Sequence, residues 1–122
     1  MIDIRKVVRS FGFAGQGIVD LFRFENNAKV HGLAALLVLA LGGWLGLSRM
    51  EWALLVTQIG LVWAAEAINT ALEKLCDHVT PDRHPQIKAI KDMASGAVLI
   101  LAITAATVGL IILSGHVIDR FF

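Results

Sequence analysis

The sequence predicts an all-α integral membrane protein, with three transmembrane helices behind an N-terminal amphipathic helix at the membrane interface. Three observations predict it. Hydrophobic residues make up 57% of the 122 and charged residues only 17%, against about 45–50% and about 25% in soluble domains. Residues 30–48 and 93–115 contain no Asp, Glu, Lys or Arg, and a bilayer is crossed by about 20 such residues in a helix. A third apolar run, from Trp52 to Ala65, continues past Glu66 towards Asp77. Strands are excluded because so short a chain cannot close a barrel, and an open sheet edge leaves backbone groups unpaired in lipid.

The elements follow in order within one domain, 1–122. Residues 3–24 mix Ile, Val, Phe and Leu with Arg5, Lys6, Arg9 and Arg23, the composition of a helix lying apolar side down among headgroups. Gly12, Gly15 and Gly17 suggest a break in its middle. Spans are expected at 29–48, 51–77 and 91–116, with a loop at 78–90 whose core, TPDRHP from Thr80 to Pro85, reads as a short, stiff connector. Lys and Arg crowd the leader and the 78–90 flank, whereas the turn near 47–51 offers only Arg49 and the C-terminal end only Arg120. The positive-inside rule therefore puts the N-terminus and the 78–90 loop in the cytoplasm, and the 47–51 turn and the C-terminus outside.

Composition also excludes. The cations are spread among apolar spans rather than gathered on one face, so no nucleic-acid partner is expected. The single cysteine, Cys76, can form no internal disulfide. The first ten residues are too charged for the apolar stretch of a signal peptide. His78, His84 and His116 are too scattered for a metal site, and His31 reads as a hydrogen-bonded interfacial residue. No phosphate-binding GxxxxGK[ST] loop and no protein-kinase signature is present.

The informative residues lie on the second span. Glu66, Asn69, Glu73 and Asp77 fall within about 80° of one another at about 100° per residue, a polar stripe on an apolar helix. An ionisable group at membrane depth costs at least about 2.5 kcal/mol on insertion scales, and it persists where it faces a bundle interior or a watery cleft. Lys91 and Asp92 open the third span, and Glu25, Asn26 and Asn27 precede the first. Carboxylates from three segments at one membrane face suit a hard divalent cation, Mg²⁺ above all, shared with substrate phosphates. A neighbouring lysine suits phosphate too. Phosphoryl transfer is chemically sensible here, and a small oligomeric cation channel or transporter component using the same carboxylates is the alternative.

The stretch from Glu66 to Glu73 (ExxNTAxE), then Asp77, the TPDRHP loop and Lys91-Asp92-Met93-Ala94-Ser95-Gly96 resemble the prokaryotic diacylglycerol kinase family, which includes undecaprenol kinases. The resemblance runs from Ser10 to about Leu113. It implies a homotrimer of three-span subunits with shared active sites in the bacterial inner membrane, phosphorylating a lipid alcohol (diacylglycerol or undecaprenol) with ATP and Mg²⁺. By the same resemblance Glu66 is the catalytic base and touches the lipid substrate, with Ser95 in the lipid site. Glu25 and Glu73 are implied as magnesium ligands. The implied ATP contacts are Glu25, Asn69, Glu73, Asp77, Asp82, Arg83, His84, Lys91 and Asp92. Phe13, Ala14 and Gln16 stand where enterobacterial-type members have Tyr, Ser and Lys. Glu25-Asn26-Asn27-Ala28-Lys29-Val30-His31 and TPDRHP are similar to the ExNxRxH and TPEYHP of undecaprenol-kinase-like members, which leans towards a polyprenol.

Overall fold

The computed structural model describes all 122 residues as four helices joined by short connectors: α1 (Ile4–Phe24), α2 (Asn26–Leu45), α3 (Arg49–Val79) and α4 (Pro85–Phe121). There are no strands. The last three helices are long and apolar enough to cross a membrane. Consecutive spans run antiparallel, because Gly46–Ser48 and Thr80–His84 are too short to let the chain return any other way. One end of the bundle thus gathers α1, the α1–α2 junction and the α3–α4 loop. It carries most of the basic residues and is called the basic end below. The other, the far end, holds the α2–α3 turn and the end of α4.

Each boundary has a local cause. Asp3 caps α1, its Oδ1 accepting the N–H groups of Arg5 and Lys6. α1 then runs unbroken through Gly12, Gly15 and Gly17, so the suggested break does not occur. Single glycines cost about 1 kcal/mol each in a helix, less than the hydrogen bonds and the segregated face that a continuous helix secures. Arg5, Arg9, Gln16, Asp20 and Arg23 of α1 fall within about 60° of one another, and Ile4, Val7, Phe11, Ile18 and Phe22 lie opposite. The chain bends once at Glu25, whose extended backbone ends α1 and opens α2. Gly46 closes α2 at φ 74°, a left-handed conformation that glycine adopts without penalty. Ser48 and Glu51 form a capping box at the head of α3.

Pro85 starts α4 at its first turn, where its missing N–H is no loss, so residues 85–90 are helical ahead of the apolar run. α3 has 31 residues and α4 has 37, hence lengths of about 46 and 55 Å at 1.5 Å per residue. Both exceed a hydrocarbon core of about 30 Å, so their ends stand in water.

α3 packs chiefly on α4, α2 touches both, and α1 rests on α2 and lightly on α3. The tightest apolar cluster is at the far end: Leu45, Leu47, Leu55 and Ile112, with Trp52 against it. Only 15 of 122 residues are buried, so most of the apolar surface needs lipid or other subunits to cover it.

Candidate active site

α3 positions the polar stripe. Glu66 is the most enclosed large side chain of the chain, 2% exposed, and Asn69 is 7% exposed one turn further on. Both point into the helix packing and away from lipid. Glu66 Oε1 lies 3.2 Å from His31 Nε2 on α2. The two are at ion-pair distance without hydrogen-bond alignment, so the sealed oxygen accepts no hydrogen bond. Asn69 Nδ2 donates to Glu73 Oε1 at 3.4 Å, the i,i+4 contact that the stripe's spacing allows. Asn69 Oδ1 is buried with no donor. Buried polar atoms normally find partners; Gln58 Oε1 on the same helix is a third without one, and the Glu66 and Asn69 acceptors, one helical turn apart, are free to take a ligand's donor or a cation.

Around this pair the stripe opens towards the basic end. Glu25 sits half-buried at the α1–α2 bend and its side chain caps neither helix. Its charge and that of Glu73 both bear on Glu66. Asp77 is exposed on α3, and Lys91 Nζ reaches across from α4 to its Oδ1 at 2.5 Å. Asp92 faces another way, since adjacent helical residues point about 100° apart, and it pairs with Lys88 on its own helix at 2.6 Å.

The connector builds the neighbouring cleft. Thr80 Oγ1 accepts the N–H of Asp82 at 3.3 Å, and His84 Nδ1 accepts that of Gln86 at 3.1 Å, capping α4. Pro81, Asp82, Arg83, His84, Lys88 and Lys91 line a cavity of about 570 Å³ with one hydrophobic residue among the eight of its wall, a size usual for small-molecule sites. Its three cations suit a polyphosphate.

The predicted residues therefore fall into two adjoining groups. Glu66, Asn69, Glu73 and Glu25 make one, and Asp82, Arg83, His84 and Lys91 make the other, with Asp77 joining them through Lys91. Ser95 is exposed on α4 and makes no side-chain hydrogen bond within the chain. Phe13 is exposed on α1. Ala14 lies beside Thr70 and Lys74 in a shallow groove, and Gln16 donates to Asp20 at 2.8 Å. No three His, Cys, Asp or Glu side chains of one chain stand at metal-holding separation.

Two residues, one buried and one half-buried, are not among the expected site residues. Thr70, 8% exposed, follows Asn69 with no spacing to distinguish it. His31 meets Glu66 from another helix, and its signal was the last position of the ENNAKVH segment.

Comparison with known proteins settles the lineage. The prokaryotic diacylglycerol kinase family matches residues 12–113. The chain belongs to that family. It is a lipid kinase of the membrane. It is 38% identical over 110 residues to an undecaprenol kinase of Bacillus subtilis, covering 90% of this chain and 89% of that one. It is 29% identical over 111 residues to a diacylglycerol kinase of Escherichia coli, covering 91% of each. With a diacylglycerol kinase of Synechocystis it shares 36% identity over 101 residues, 82% of this chain and 58% of the other. Membership of the diacylglycerol kinase family leaves the cation-channel alternative without support.

Proposed function

We propose that the chain transfers the γ-phosphate of ATP to a polyprenol, an undecaprenol-like lipid alcohol, at the cytoplasmic face of the bacterial inner membrane. The observation that carries the reading is Glu66, a carboxylate sealed in the packing with no hydrogen bond from the chain to its buried oxygen and one histidine beside it. It stands where a stripe of polar groups leads to a cation-lined cleft. The leaning to a polyprenol is supported by 38% identity to the undecaprenol kinase against 29% to the diacylglycerol kinase of Escherichia coli. The ENNAKVH and TPDRHP segments lean the same way.

The chemistry needs one base and much charge compensation. The lipid hydroxyl oxygen attacks the γ-phosphorus as its proton passes to Glu66. A new O–P bond forms, the bond from that phosphorus to the β,γ-bridging oxygen breaks, and ADP leaves with the electron pair. A buried carboxylate is a fitting acceptor because it has no competing water. Lys91, Arg83 and Lys88 offset phosphate charge at the cleft.

The donor set fits Mg²⁺. Glu25 is unspent as a cap and Asn69 Oδ1 is orphaned beside Glu73, and this ion asks for one or two carboxylates with the rest of its shell from water and phosphate. Glu25 and Glu73 would hold it, and bound there it would neutralise charge on the transferred group.

Three spans with basic flanks at one end support an N-terminus in the cytoplasm, with α1 lying along the surface on its apolar face. The uncovered apolar surface is consistent with assembly as a homotrimer whose subunits share active sites.

The test is direct. The purified chain, given labelled ATP and Mg²⁺, should phosphorylate undecaprenol faster than diacylglycerol, and chelation of the metal should stop both. Faster labelling of diacylglycerol would overturn the substrate choice, and labelling of neither lipid would overturn the reaction.

A further inference from the structure

Below Lys29, α2 carries no charged side chain, and His31 is the last strongly polar group before its apolar run. A polar group at that depth is costly unless paired. One side of the imidazole borders an apolar cavity of about 300 Å³ between α2, α3 and α4, in which ten of thirteen lining residues are hydrophobic. The other side meets α3, where Nε2 stands 3.2 Å from Glu66 Oε1. Gln58 is the one other polar side chain in that wall, and its buried Oε1 has no donor; the polar group at contact distance of Nε2 is the Glu66 carboxylate.

Glu66 in turn has reason to need a donor. Its other charged neighbours, Glu25 at the helix junction and Glu73 on its own helix, are both acidic. Neither carboxylate offers it an attractive contact, and its Oε1 accepts no hydrogen bond from the chain.

We infer that His31 is a positioning residue for Glu66: the Nε2–H group on α2 holds Oε1 and leaves the other oxygen of the carboxylate aimed at the lipid hydroxyl. This rests on the reading of Glu66 as the base. The neutral Nε2–H tautomer and the imidazolium both donate from that atom, so the role does not depend on the charge of the ring. The contact lacks hydrogen-bond alignment in the free chain, and catalytic hydrogen bonds commonly tighten when substrate enters.

The experiment compares two amides. In His31→Gln the side-chain nitrogen reaches the position of Nε2, and in His31→Asn it reaches only that of Nδ1. Both keep a polar group of similar size, and melting temperatures of the full-length protein confirm that both fold. The Gln form should keep kcat within about threefold, and the Asn form should lose about 10- to 100-fold, the penalty of a misplaced reacting group. KM for ATP should stay unchanged in both.

Equal kcat for the two forms, or an effect confined to KM for ATP, overturns the inference. Glu66→Gln is assayed beside them to separate the two ideas. An active Glu66→Gln form removes the base itself. An inactive one, with His31→Asn at the full rate, removes only the positioning.

Discussion

Two carboxylates on α3, one at the far end of the bundle and one midway along the helix, are treated in opposite ways. At the far end Glu51 is fully engaged. It accepts the backbone N–H of Ser48 at 3.0 Å, and His116 Nε2 lies 2.9 Å from each of its oxygens. The surrounding groups are spent as well: Arg120 donates to the Trp44 carbonyl at 3.2 Å and lies over its ring at 4.7 Å. Towards the basic end Glu66 is more deeply enclosed and has one neighbouring histidine, out of line for a hydrogen bond. Burial alone therefore does not distinguish a structural acid from a chemical one. Satisfaction does, because a packing residue left with an orphaned acceptor costs about 1–3 kcal/mol that mutation could readily recover.

The sharpest way to break that contrast is the same substitution at both sites. Glu66→Gln keeps size and removes the proposed base, so turnover should fall by about 10²–10⁴-fold, the usual contribution of a general base. Its melting temperature should hold, since the amide can donate where the carboxylate only accepted. Glu51→Gln should do the reverse, lowering the melting temperature while leaving turnover within about twofold, as substitutions away from a site do. Rate assays and thermal melts of both forms in one detergent decide it. A Glu51→Gln form as inactive as Glu66→Gln would erase the distinction.

The same contrast explains what could be read from the sequence. The stripe from Glu66 to Asp77 was legible because its partners are local: three- and four-residue spacings put them on one helical face, and the Asn69–Glu73 contact follows from that spacing. The three spans were legible because lipid imposes a length and an absence of charge. The pairings His31–Glu66 and His116–Glu51 are 35 and 65 positions apart in the chain, and no periodicity within one helix reports them. Lys91 and Asp92 are neighbours in sequence, yet one crosses to α3 and the other stays on α4. The glycines of α1 misled because a local cost was read without the continuous amphipathic face that outweighs it.

Packing at the far end offers a smaller effect. A Cβ on Gly42 would lie 2.9 Å from both Leu47 Cδ1 and Trp52 Cη2, which belong to the turn and to the side chains packed on the Leu45–Leu55 cluster. Gly42→Val must displace them, and overpacking of this kind costs about 1–3 kcal/mol. Thermal melting should show that loss, and kcat for the lipid kinase reaction should not change. A fall in kcat with stability intact would mean that the turn communicates with Glu66, some five helical turns away (about 5.4 Å each).

The smallest effect tests whether the far end is only a clasp. Ser48 Oγ accepts the N–H of Glu51 at 3.2 Å, one half of the capping box. Ser48→Ala removes it and should cost about 1 kcal/mol, whereas Ser48→Thr keeps the oxygen and should recover most of that loss. Glu51 would still meet His116, so α3 and α4 should stay joined and the head of α3 alone should fray. Fraying there leaves Glu66 in register, because the hydrogen bonds of the intervening turns are unbroken. Hydrogen exchange should rise only in the first turn of α3, with the kinase rate unchanged. Were the rate to fall alongside, the far end would be holding the base in place through the length of the helix, and the two carboxylates would be parts of one device.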